Sequence, residues 1–587
     1  MGVAELVDAA GSGPAGRKSR EGSNPSPHNK KMTEEPLKII PLGGLEEVGR
    51  NMTLFEYKGK ILILDMGLMF PDDTMPGVDF IIPNTQYLKG KEKDIMGVVL
   101  THGHYDHIGA IPYIIGKIGN PPIFATPLTK GIVEKRQKDF PQASPLRIQE
   151  IKREDEVVLG PFKIKTVPLN HNIPDNVGVF IETPVGTIFH TGDFKIDFTP
   201  IGDEPADLSK IAKIASKGVL LLMSDSTNAE EKGHSLSERE IMENLEFIFK
   251  NAKGRIIATT FASLISRIQE LIFLAEKYGR KILVEGYTMR SNFEISWKLG
   301  KIKVNPESVI TPRELRKIPD EKALIICTGS QGEGDAVLMR LAHKDHPYLK
   351  VKKGDTVIIS SSTVPGNERA VQELKDLLSW QGAKIYHSKI MDIHASGHAN
   401  QEELKTMIRL IAPKFFMPVH GSHYMLECHK EIAINVGIPE KNIIVAGNGD
   451  LIELHENEFK IHHKKVPAHY VMVDGLGIGD VGEVVLRDRQ VMAKDGMFVI
   501  VVVVDSHTGR VKQSPDIISR GFVYLRESQR LLYETRKRTV RLVERIIRSK
   551  HPINWSYVKS RIREELGEFL YEKTKRRPMV LPVIIEV

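Results

Sequence analysis

Four side chains that can bind metal fall within six residues, in the segment Thr101-His102-Gly103-His104-Tyr105-Asp106-His107. Imidazole and carboxylate groups are ligands that suit zinc or a similar divalent ion. A single tetrahedral ion rarely takes four ligands from so short a loop. We therefore predict two ions, with His102 and His104 facing the first and Asp106 and His107 facing the second. The alternative is a histidine-rich surface loop that holds no metal.

The neighbouring elements place this segment at the end of a strand. Residues 95–100 form a short apolar run with the length and composition of a buried strand. The residue pattern at 108–115 predicts a loop that continues into a helix. The four side chains then lie at the carboxyl end of a strand, which is where open α/β sheets place their sites.

Two ions need further ligands, and three other side chains follow predicted strands in the same way. His171 comes after a strand at 162–168, and Asp193 and His420 come after strands at 186–190 and 415–419. A carboxylate at Asp193 can bridge both ions through its two oxygens. The predicted sets are His102, His104, His171 and Asp193 for the first ion, and Asp106, His107, Asp193 and His420 for the second. Two such ions, about 3.5–4 Å apart, activate a shared water, so we expect a hydroxide nucleophile and in-line displacement at phosphorus.

Two carboxylates are candidates for orienting histidine rings. Asp65 ends a predicted strand at 60–65, where it can anchor a metal-binding histidine or simply begin a turn. Asp225 ends a predicted strand at 220–225 and can fix the tautomer of another histidine. Asp65 therefore has a structural interpretation beside the orienting one.

A second histidine pair flanks a loop of small residues. The N–H groups of such a loop can hold a phosphate oxygen. A histidine beside it can protonate the leaving oxygen, a general-acid role worth about 10²–10⁴-fold in rate. The alternative is two structural histidines. The predicted substrate-binding residues are His394, Ala395, Ser396, Gly397 and His398. The predicted catalytic residues are His398, His394, Asp225 and Asp65.

Composition and charge limit the possible classes of protein. The 587 residues are 41% hydrophobic and 27% charged, which is ordinary for a globular protein of about two to four domains. The two cysteines exclude a disulfide framework and indicate a reducing, cytoplasmic compartment. The longest strongly apolar run, at 497–504, is too short to cross a membrane, and no signal peptide is predicted. A net charge of +7 permits nucleic acid as a partner.

Changes of pattern along the chain predict an inserted domain. His420 must join ligands that precede it by more than two hundred residues, so the alternating strands and helices between them should form a separate α/β domain, with a cleft beside the metal domain. The flexible, apolar-poor start of the chain predicts a disordered leader or a mis-annotated start, before Met32. The predicted limits are 1–31 for the leader, 32–218 and 391–465 for the two parts of the metal domain, 219–390 for the insert and 466–587 for an α+β C-terminal domain.

The C-terminal segment carries strong positive charge. A predicted helix at 526–550 has nine Lys or Arg and three Glu, a net charge of +6, and more basic residues follow at 573–577. This helix either helps to bind nucleic acid electrostatically, or it faces solvent or packs against another subunit.

Several motifs resemble known families. The segment 101–107 resembles the signature of the metallo-β-lactamase superfamily, and Asp65, His171 and Asp193 stand where its other motifs would be. Asp225, His398 and His420, spread across an inserted domain, resemble the additional motifs of the β-CASP nucleases. More specifically, the chain resembles the bacterial ribonuclease J family over all but its leader. The stretches that carry this resemblance are 41–49, 329–333, 364–368, 394–399 and 515–521.

The resemblance implies a fold and an activity. The fold would be a metallo-β-lactamase αββα sandwich with an inserted α/β β-CASP domain and a small α+β C-terminal domain. The activity would be hydrolysis of RNA phosphodiesters, by 5′→3′ exonuclease action that prefers a 5′-monophosphate and by endonuclease action, in mRNA decay and rRNA maturation. The cofactors would be two Zn²⁺ per chain, or Mn²⁺ or Mg²⁺ in their place.

The resemblance also implies partners and a further metal. The partners would be single-stranded RNA, other copies of the chain in a homodimer or homotetramer, and proteins of an RNA-degradation complex, with no membrane. A structural Ca²⁺ would lie near an acidic turn, with Gly77, Asp79 and Asp474 as the equivalent residues. The chain departs from the family at Ser422, where Glu is usual, and at 264–267, but neither place holds a predicted metal ligand.

Two rival functions explain fewer of the features. A small-molecule metallo-hydrolase, such as a lactamase, lactonase or thioesterase, accounts for the metal ligands but not for the insert, the second histidine pair or the basic segment. A non-enzymatic RNA-binding scaffold would be expected to have lost a ligand, whereas every predicted ligand is present. The sequence therefore favours a metal-dependent ribonuclease.

Overall fold

A computed structural model describes residues 35–587 except 73, 365, 476, 506, 524–527 and 550–552. The chain divides into two units, Met1–Glu35 and Pro36–Val587, and the predicted leader at 1–31 lies outside the described residues. In the part that is described, no helix combines the length and the apolar character needed to cross a membrane.

Two sheets pack face to face within the larger unit. The first runs in the order Phe459–His462, Leu451–Leu454, Leu37–Gly43, Met52–Tyr57, Lys60–Leu64, Ile95–Val99, Ile123–Ala125, Ile148–Glu150. The second runs in the order Phe415–Val419, Leu221–Asp225, Thr187–His190, Val177–Glu182, Phe162–Pro168, Glu156–Leu159. The helices associated with them are Tyr105–Ile108, Ile111–Ile114, Pro127–Lys138, Leu208–Ala215, Gln401–Ile411 and His423–Asn435. This arrangement is the αββα sandwich that the resemblance implied.

Apolar side chains explain why these layers pack together. Phe55 and Leu62 of the first sheet share one buried cluster with Ile164 and Ile181 of the second, because alternate residues of a strand point to the same face. The helix Gln401–Ile411 buries Leu404, Met407, Ile408 and Ile411. That spacing places all four side chains on one face of the helix, which packs against the outside of the second sheet.

A parallel sheet forms the core of the insert. Its strands follow the order Lys281–Glu285, Ala323–Cys327, Ile256–Thr259, Thr356–Ile359, Lys384–His387. Its helices are Glu238–Asn251, Ile265–Lys277, Tyr287–Lys298, Pro312–Leu315, Val337–Ala342 and Glu368–Trp380. The last strand is short and carries Lys, Tyr and His, so its pattern does not separate it from a loop, and the sequence did not predict it.

The strand directly after residue 219, the predicted start of the insert, bears on where the insert begins. The strand Leu221–Asp225 pairs in parallel with Thr187–His190 and with Phe415–Val419, so it belongs to the metal domain. A continuous apolar run shows that a strand is buried but not which sheet contains it. We therefore propose that the insert begins after Asp225.

The C-terminal part has its own sheet and apolar core. The strands are ordered Asp516–Arg520, Met497–Val504, Met579–Glu586, and the helices are Glu483–Asp495, Gln529–Ser549 and Trp555–Thr574. The predicted helix at 526–550 corresponds to the second of these, whereas the sequence did not predict the other two. Strands Val471–Asp474 and Gly477–Ile478 join Phe80–Ile82 of the metal domain in a small sheet, which connects the two parts of the chain.

Candidate metal centre

The segment 101–107 is fixed between two elements. It follows the strand Ile95–Val99 and continues into the one-turn helix Tyr105–Ile108. The backbone N–H groups of Met66 and Leu68 donate hydrogen bonds to the carbonyls of His107 (2.7 Å) and Tyr105 (3.0 Å). A Cβ atom at Gly67 would lie 1.6 Å from the carbonyl oxygen of Asp106, so only glycine allows this approach.

The first cluster contains three imidazoles and one carboxylate. His102 Nε2 and His171 Nε2 each lie 3.1 Å from His104 Nδ1. Asp193 Oδ2 lies 3.7 Å from His102 Nε2 and 3.9 Å from His171 Nε2. Burial lowers the pKa of all three histidines, that of His104 to about 4, so the rings are neutral. In the tautomers that leave the converging nitrogens unprotonated, the three rings offer their lone pairs to a shared cation.

The second cluster uses the other oxygen of the same carboxylate. Asp193 Oδ1 lies 3.0 Å from His420 Nδ1 and 3.3 Å from His107 Nε2. Asp106 Oδ2 lies 3.4 Å from His420 Nε2 and 3.5 Å from His107 Nε2. Burial alone would lower the pKa of His107 and His420, but the facing carboxylates outweigh it and raise both. Asp193 therefore stands between two groups of donor atoms.

These clusters fit divalent cations chemically. Within each set of four residues the donor atoms lie within 4.8 Å of one another. Among the described residues, the buried Asp193 Oδ1 and His420 Nε2 make only ion-pair contacts whose geometry is poor for hydrogen bonding, which is costly unless a cation satisfies them. Burial would raise the pKa of Asp193, but His420 and His107 lower it well below its usual range, so the carboxylate is ionised. The two sets are those that the sequence predicted, and their role as ligands stays a prediction.

Asp65 contacts the cluster from behind. Its Oδ2 lies 2.8 Å from His107 Nδ1 and accepts a hydrogen bond from Thr101 Oγ1 (2.9 Å), while its Oδ1 accepts one from the backbone N–H of Thr101 (2.8 Å). The carboxylate thus holds the ring of His107 so that Nε2 faces Asp193. This geometry fits the anchoring interpretation of Asp65, and its catalytic role stays a prediction.

The loop that carries His398 closes one side of the centre. His398 Nδ1 lies 2.7 Å from Asp225 Oδ2. Burial alone would lower the pKa of His398, but Asp225 outweighs it and raises that pKa above its ordinary value. The carbonyl of Gly397 lies 2.6 Å from His171 Nδ1 and accepts its hydrogen bond. A Cβ at Gly397 would lie 2.5 Å from the His171 ring, so the contact requires glycine.

The other predicted residues of this loop face elsewhere. His394 belongs to none of the metal-capable groups found among the described residues. Burial, and then Arg267, lower the pKa of His394 to about 3. Ala395 is buried, and Ser396 Oγ accepts hydrogen bonds from Asn228 Nδ2 (2.9 Å) and from the backbone N–H of His398. The structure therefore brings His398, but not His394, to the metal-capable clusters.

The residues predicted to bind calcium lie close to one another but have other partners. Asp79 Oδ2 accepts a hydrogen bond from the backbone N–H of Gly475 (2.7 Å). The guanidinium of Arg489 donates to Asp474 Oδ2 and to the carbonyl of Pro76. A Cβ at Gly77 would meet the same guanidinium at 2.8 Å. An arginine thus supplies positive charge beside Asp474.

Two polar side chains at the centre were missed from the sequence. Asn51 Nδ2 lies 3.1 Å from His107 Nε2 and donates to the carbonyl of Asp106. Thr227 Oγ1 donates to Asp225 Oδ1 (2.7 Å) and lies 3.2 Å from His420 Nδ1. Thr227 could have been found by its place directly after a strand that ends in Asp225, whereas Asn51 precedes its strand and gave no such signal.

A cavity of about 700 Å³ opens above the two clusters. One wall comes from the metal domain and includes His104, Asp106 and His398. The opposite wall comes from the insert, with residues 260–264 and 328–330. Four of the proposed ligands, His104, Asp106, His171 and Asp193, thus line a cleft between the two parts of the chain, which we call the metal cleft.

Comparisons with family profiles match successive parts of the chain. The "Beta-lactamase superfamily domain" matches residues 73–227, and "Ribonuclease J, beta-CASP domain" matches 253–378. The "Zn-dependent metallo-hydrolase RNA specificity domain" matches 382–445, and "Ribonuclease J C-terminal domain" matches 484–587. These matches identify a metallo-β-lactamase domain with a β-CASP insert and a C-terminal domain, and they support a divalent metal.

Individual proteins are similar over most of their length. Ribonuclease J2 of Bacillus subtilis (strain 168) is 38% identical over 558 residues, which cover 95% of this chain and all of that protein. Ribonuclease J of Thermus thermophilus is 40% identical over 97% of both chains. A crystal structure of a protein of unknown function from Enterococcus faecalis V583 matches 71% of this chain and all of its own, with a TM-score of 0.52 and 16% identity, a similarity of fold alone. The chain belongs to the ribonuclease J family.

Proposed function

We propose that this protein is a metal-dependent ribonuclease that hydrolyses the phosphodiester bonds of single-stranded RNA. The observation that carries this proposal is the pair of four-donor clusters sharing Asp193 at the base of a cleft between two domains. The ribonuclease J names of the relatives and the RNA specificity profile support RNA as the substrate. A small-molecule metallo-hydrolase leaves the second wall of the cleft unexplained.

We assign the parts of the reaction to residues of the metal cleft. The set of His102, His104, His171 and Asp193 would hold one ion, and the set of Asp106, His107, Asp193 and His420 the other. When bound, two divalent ions activate water for attack and stabilise charge at phosphorus, and we propose Zn²⁺, with Mn²⁺ or Mg²⁺ as alternatives. Asp65 and the carbonyl of Gly397 orient the rings of His107 and His171.

His398 is the proposed proton donor to the leaving oxygen. Its Nδ1 is held by Asp225, so the opposite ring nitrogen is directed away from that carboxylate, and the side chain lines the metal cleft. The negative charge of Asp225 favours the protonated ring. His394 and the N–H groups of residues 395–397 stay proposed contacts of a substrate phosphate.

The wider biological role follows the family. We propose 5′→3′ exonuclease action that prefers a 5′-monophosphate, together with endonuclease action, in mRNA decay and rRNA maturation. We also propose a cytoplasmic enzyme, in keeping with two free cysteines, that forms a homodimer or homotetramer and contacts RNA-degradation proteins. A structural Ca²⁺ at Gly77, Asp79 and Asp474 stays a prediction.

Cleavage of defined RNAs tests the proposal. The protein is incubated with 5′-monophosphorylated or 5′-triphosphorylated RNA, with Zn²⁺ or Mn²⁺ and with or without a chelator. We expect mononucleotides from the monophosphorylated RNA, no cleavage after chelation, and a loss of roughly 10²-fold or more in His104→Ala. His343→Ala, at an exposed histidine, is the matched control. Absence of RNA cleavage with both metals supplied would overturn the proposal.

A further inference from the structure

An exposed aromatic ring lines the metal cleft. Phe70 is 64% exposed, whereas the other ring-bearing apolar residues of the lining, Tyr105 and Phe261, are half-buried. Val48 on the same wall and Val364 on the opposite one are 44% and 43% exposed. The cleft thus has an apolar margin above a polar, metal-capable floor, and a phenyl ring is its largest exposed member.

The backbone places this ring a short distance from the donor atoms. The N–H of Leu68 donates to the carbonyl of Tyr105, inside the metal-binding segment. From there the chain is extended, because Met69 exchanges backbone hydrogen bonds with Ile81. Two extended residues advance about 7 Å. Phe70 is thus about 7 Å along the chain from the residue that contacts the metal-binding segment, and it lines the same cavity as His104 and Asp106.

Neighbouring rings hold Phe70 in place. Phe80 packs edge-on against it, with ring centres 5.8 Å apart and planes at 62°. Phe80 lies in a strand that is paired with Val471–Asp474. The buried Arg136 guanidinium lies 5.6 Å from the Phe80 ring centre and 4.4 Å from that of Tyr105. An exposed ring that is backed in this way is already oriented before any ligand arrives.

We propose that Phe70 stacks on an RNA base one or two positions to the 3′ side of the scissile phosphate. This rests on the proposed function, since a 5′→3′ exonuclease draws the 5′ end inward and leaves the 3′ strand at the open side of the cleft, where Phe70 lies. Aromatic stacking tolerates any base, because every base has a π-face. The contact of Phe70 with RNA is therefore independent of the RNA sequence.

Binding measurements with metal-loaded protein separate stacking from cleavage. The probe is a 5′-monophosphorylated RNA whose first linkages are non-hydrolysable methylenephosphonates. We expect Phe70→Ala to weaken binding about 5- to 150-fold and Phe70→Trp to keep most of the affinity, because tryptophan also stacks. Phe247→Ala is the matched control, since Phe247 is 55% exposed on the helix Glu238–Asn251, outside the cleft lining.

RNAs with one abasic nucleotide, moved along the first positions, identify the partner base. At one position the wild-type protein and Phe70→Ala should bind the abasic RNA equally, because no base remains to stack. Equal affinity of Phe70→Ala and the wild type for intact RNA would overturn the proposal, and so would a loss that persists at every abasic position. If the metal-loaded protein cleaves RNA but Phe70→Ala binds normally, only the stacking proposal fails. If the metal-loaded wild-type protein neither binds nor cleaves RNA, the proposed function fails as well.

Discussion

At the scale of single residues, Asp65 shows how a side chain can control a metal centre without contacting the metal. Its backbone is left-handed, with φ of 59°, a conformation that asparagine adopts more readily than most residues. Asp65→Asn therefore keeps the fold of the turn. It replaces one of the two carboxylate oxygens, which contact His107 and Thr101, with an NH₂ group that cannot accept a hydrogen bond. We expect metal affinity to fall about 10- to 100-fold, and activity to recover when the metal concentration is raised. Metal titration of activity measures this, with the exposed Asp94→Asn as control.

Loss of activity in Asp65→Asn that no metal concentration restores would contradict an orienting role. It would show that the carboxylate takes part in the reaction itself. An unchanged metal titration would show that the hydrogen bonds from Thr101 alone fix the loop.

The buried ring of His429, which is not one of the proposed metal ligands, leads to a prediction about pH and stability. Its ring is fully buried against Phe416, and Nδ1 lies 3.0 Å from Ser226 Oγ. Burial lowers the pKa of His429 to about 3, whereas in the unfolded chain it stays near about 6.5. Below that pH only the unfolded state gains the proton, so stability falls as the pH drops. Between pH 7.5 and 5, His429→Gln should therefore lose about 2 kcal/mol less unfolding free energy than the wild type does.

Thermal unfolding midpoints at the two pH values measure this effect. The wild type should lose more stability on acidification than His429→Gln, and the exposed His343→Gln should behave as the wild type does. Equal slopes for the wild type and His429→Gln would mean that the ring takes up its proton within the folded state.

At the scale of elements, the sequence was most informative where a buried strand ends in a metal-binding side chain. The strands before His102, His171, Asp193 and His420 are short and have at least one buried apolar face. Strands that run in the same direction bring their carboxyl ends to one edge of a sheet. The same logic could not assign the strand Leu221–Asp225 to its sheet, because apolar residues look alike in either one. The role of Asn51 could not be predicted from the sequence for a related reason, since its contact with His107 depends on how two loops pack.

The loop 394–398 is an element whose conformation depends on one residue. Because a Cβ at Gly397 would lie 2.5 Å from the ring of His171, Gly397→Ala must displace that ring from the first cluster. We expect the variant to lose metal from that cluster and to lose about 10- to 100-fold in activity, while its melting temperature changes little. Metal content by elemental analysis, together with RNA cleavage, measures both effects.

Gly567→Ala is the control for this substitution. Gly567 lies within the helix Trp555–Thr574, and an added Cβ there meets nothing within 4 Å. Alanine should stabilise that helix by about 0.5–1 kcal/mol and leave activity unchanged. Full metal content and activity in Gly397→Ala would mean that the loop can move away without releasing His171.

At the scale of the whole molecule, a buried ion network joins the insert to the metal domain. Lys195 of the metal domain lies 2.8 Å from Glu238 of the insert, and Arg267 lies 2.7 Å from Glu238 and 2.8 Å from Glu270. The Arg267 guanidinium also donates to Ser360 Oγ and to the carbonyl of Ile393, directly before the loop that carries His398. The two walls of the metal cleft are thus held by one arginine that is fully buried.

Removing this arginine should therefore act on both stability and the cleft. Arg267→Met removes the ion-pair partner of the buried Glu270 and leaves Glu238 with Lys195 alone. Breaking a buried ion pair from one side typically costs about 3–5 kcal/mol of unfolding free energy. Lys352→Met breaks an exposed pair with Asp320 and should cost about 0–1 kcal/mol. Urea denaturation measures the unfolding free energy of both variants. Adding Glu238→Gln and Glu270→Gln to Arg267→Met should restore part of the lost stability, because the buried carboxylates are then replaced by neutral amides. If Arg267→Met costs no more than Lys352→Met, the walls of the cleft are held by apolar packing and not by the network.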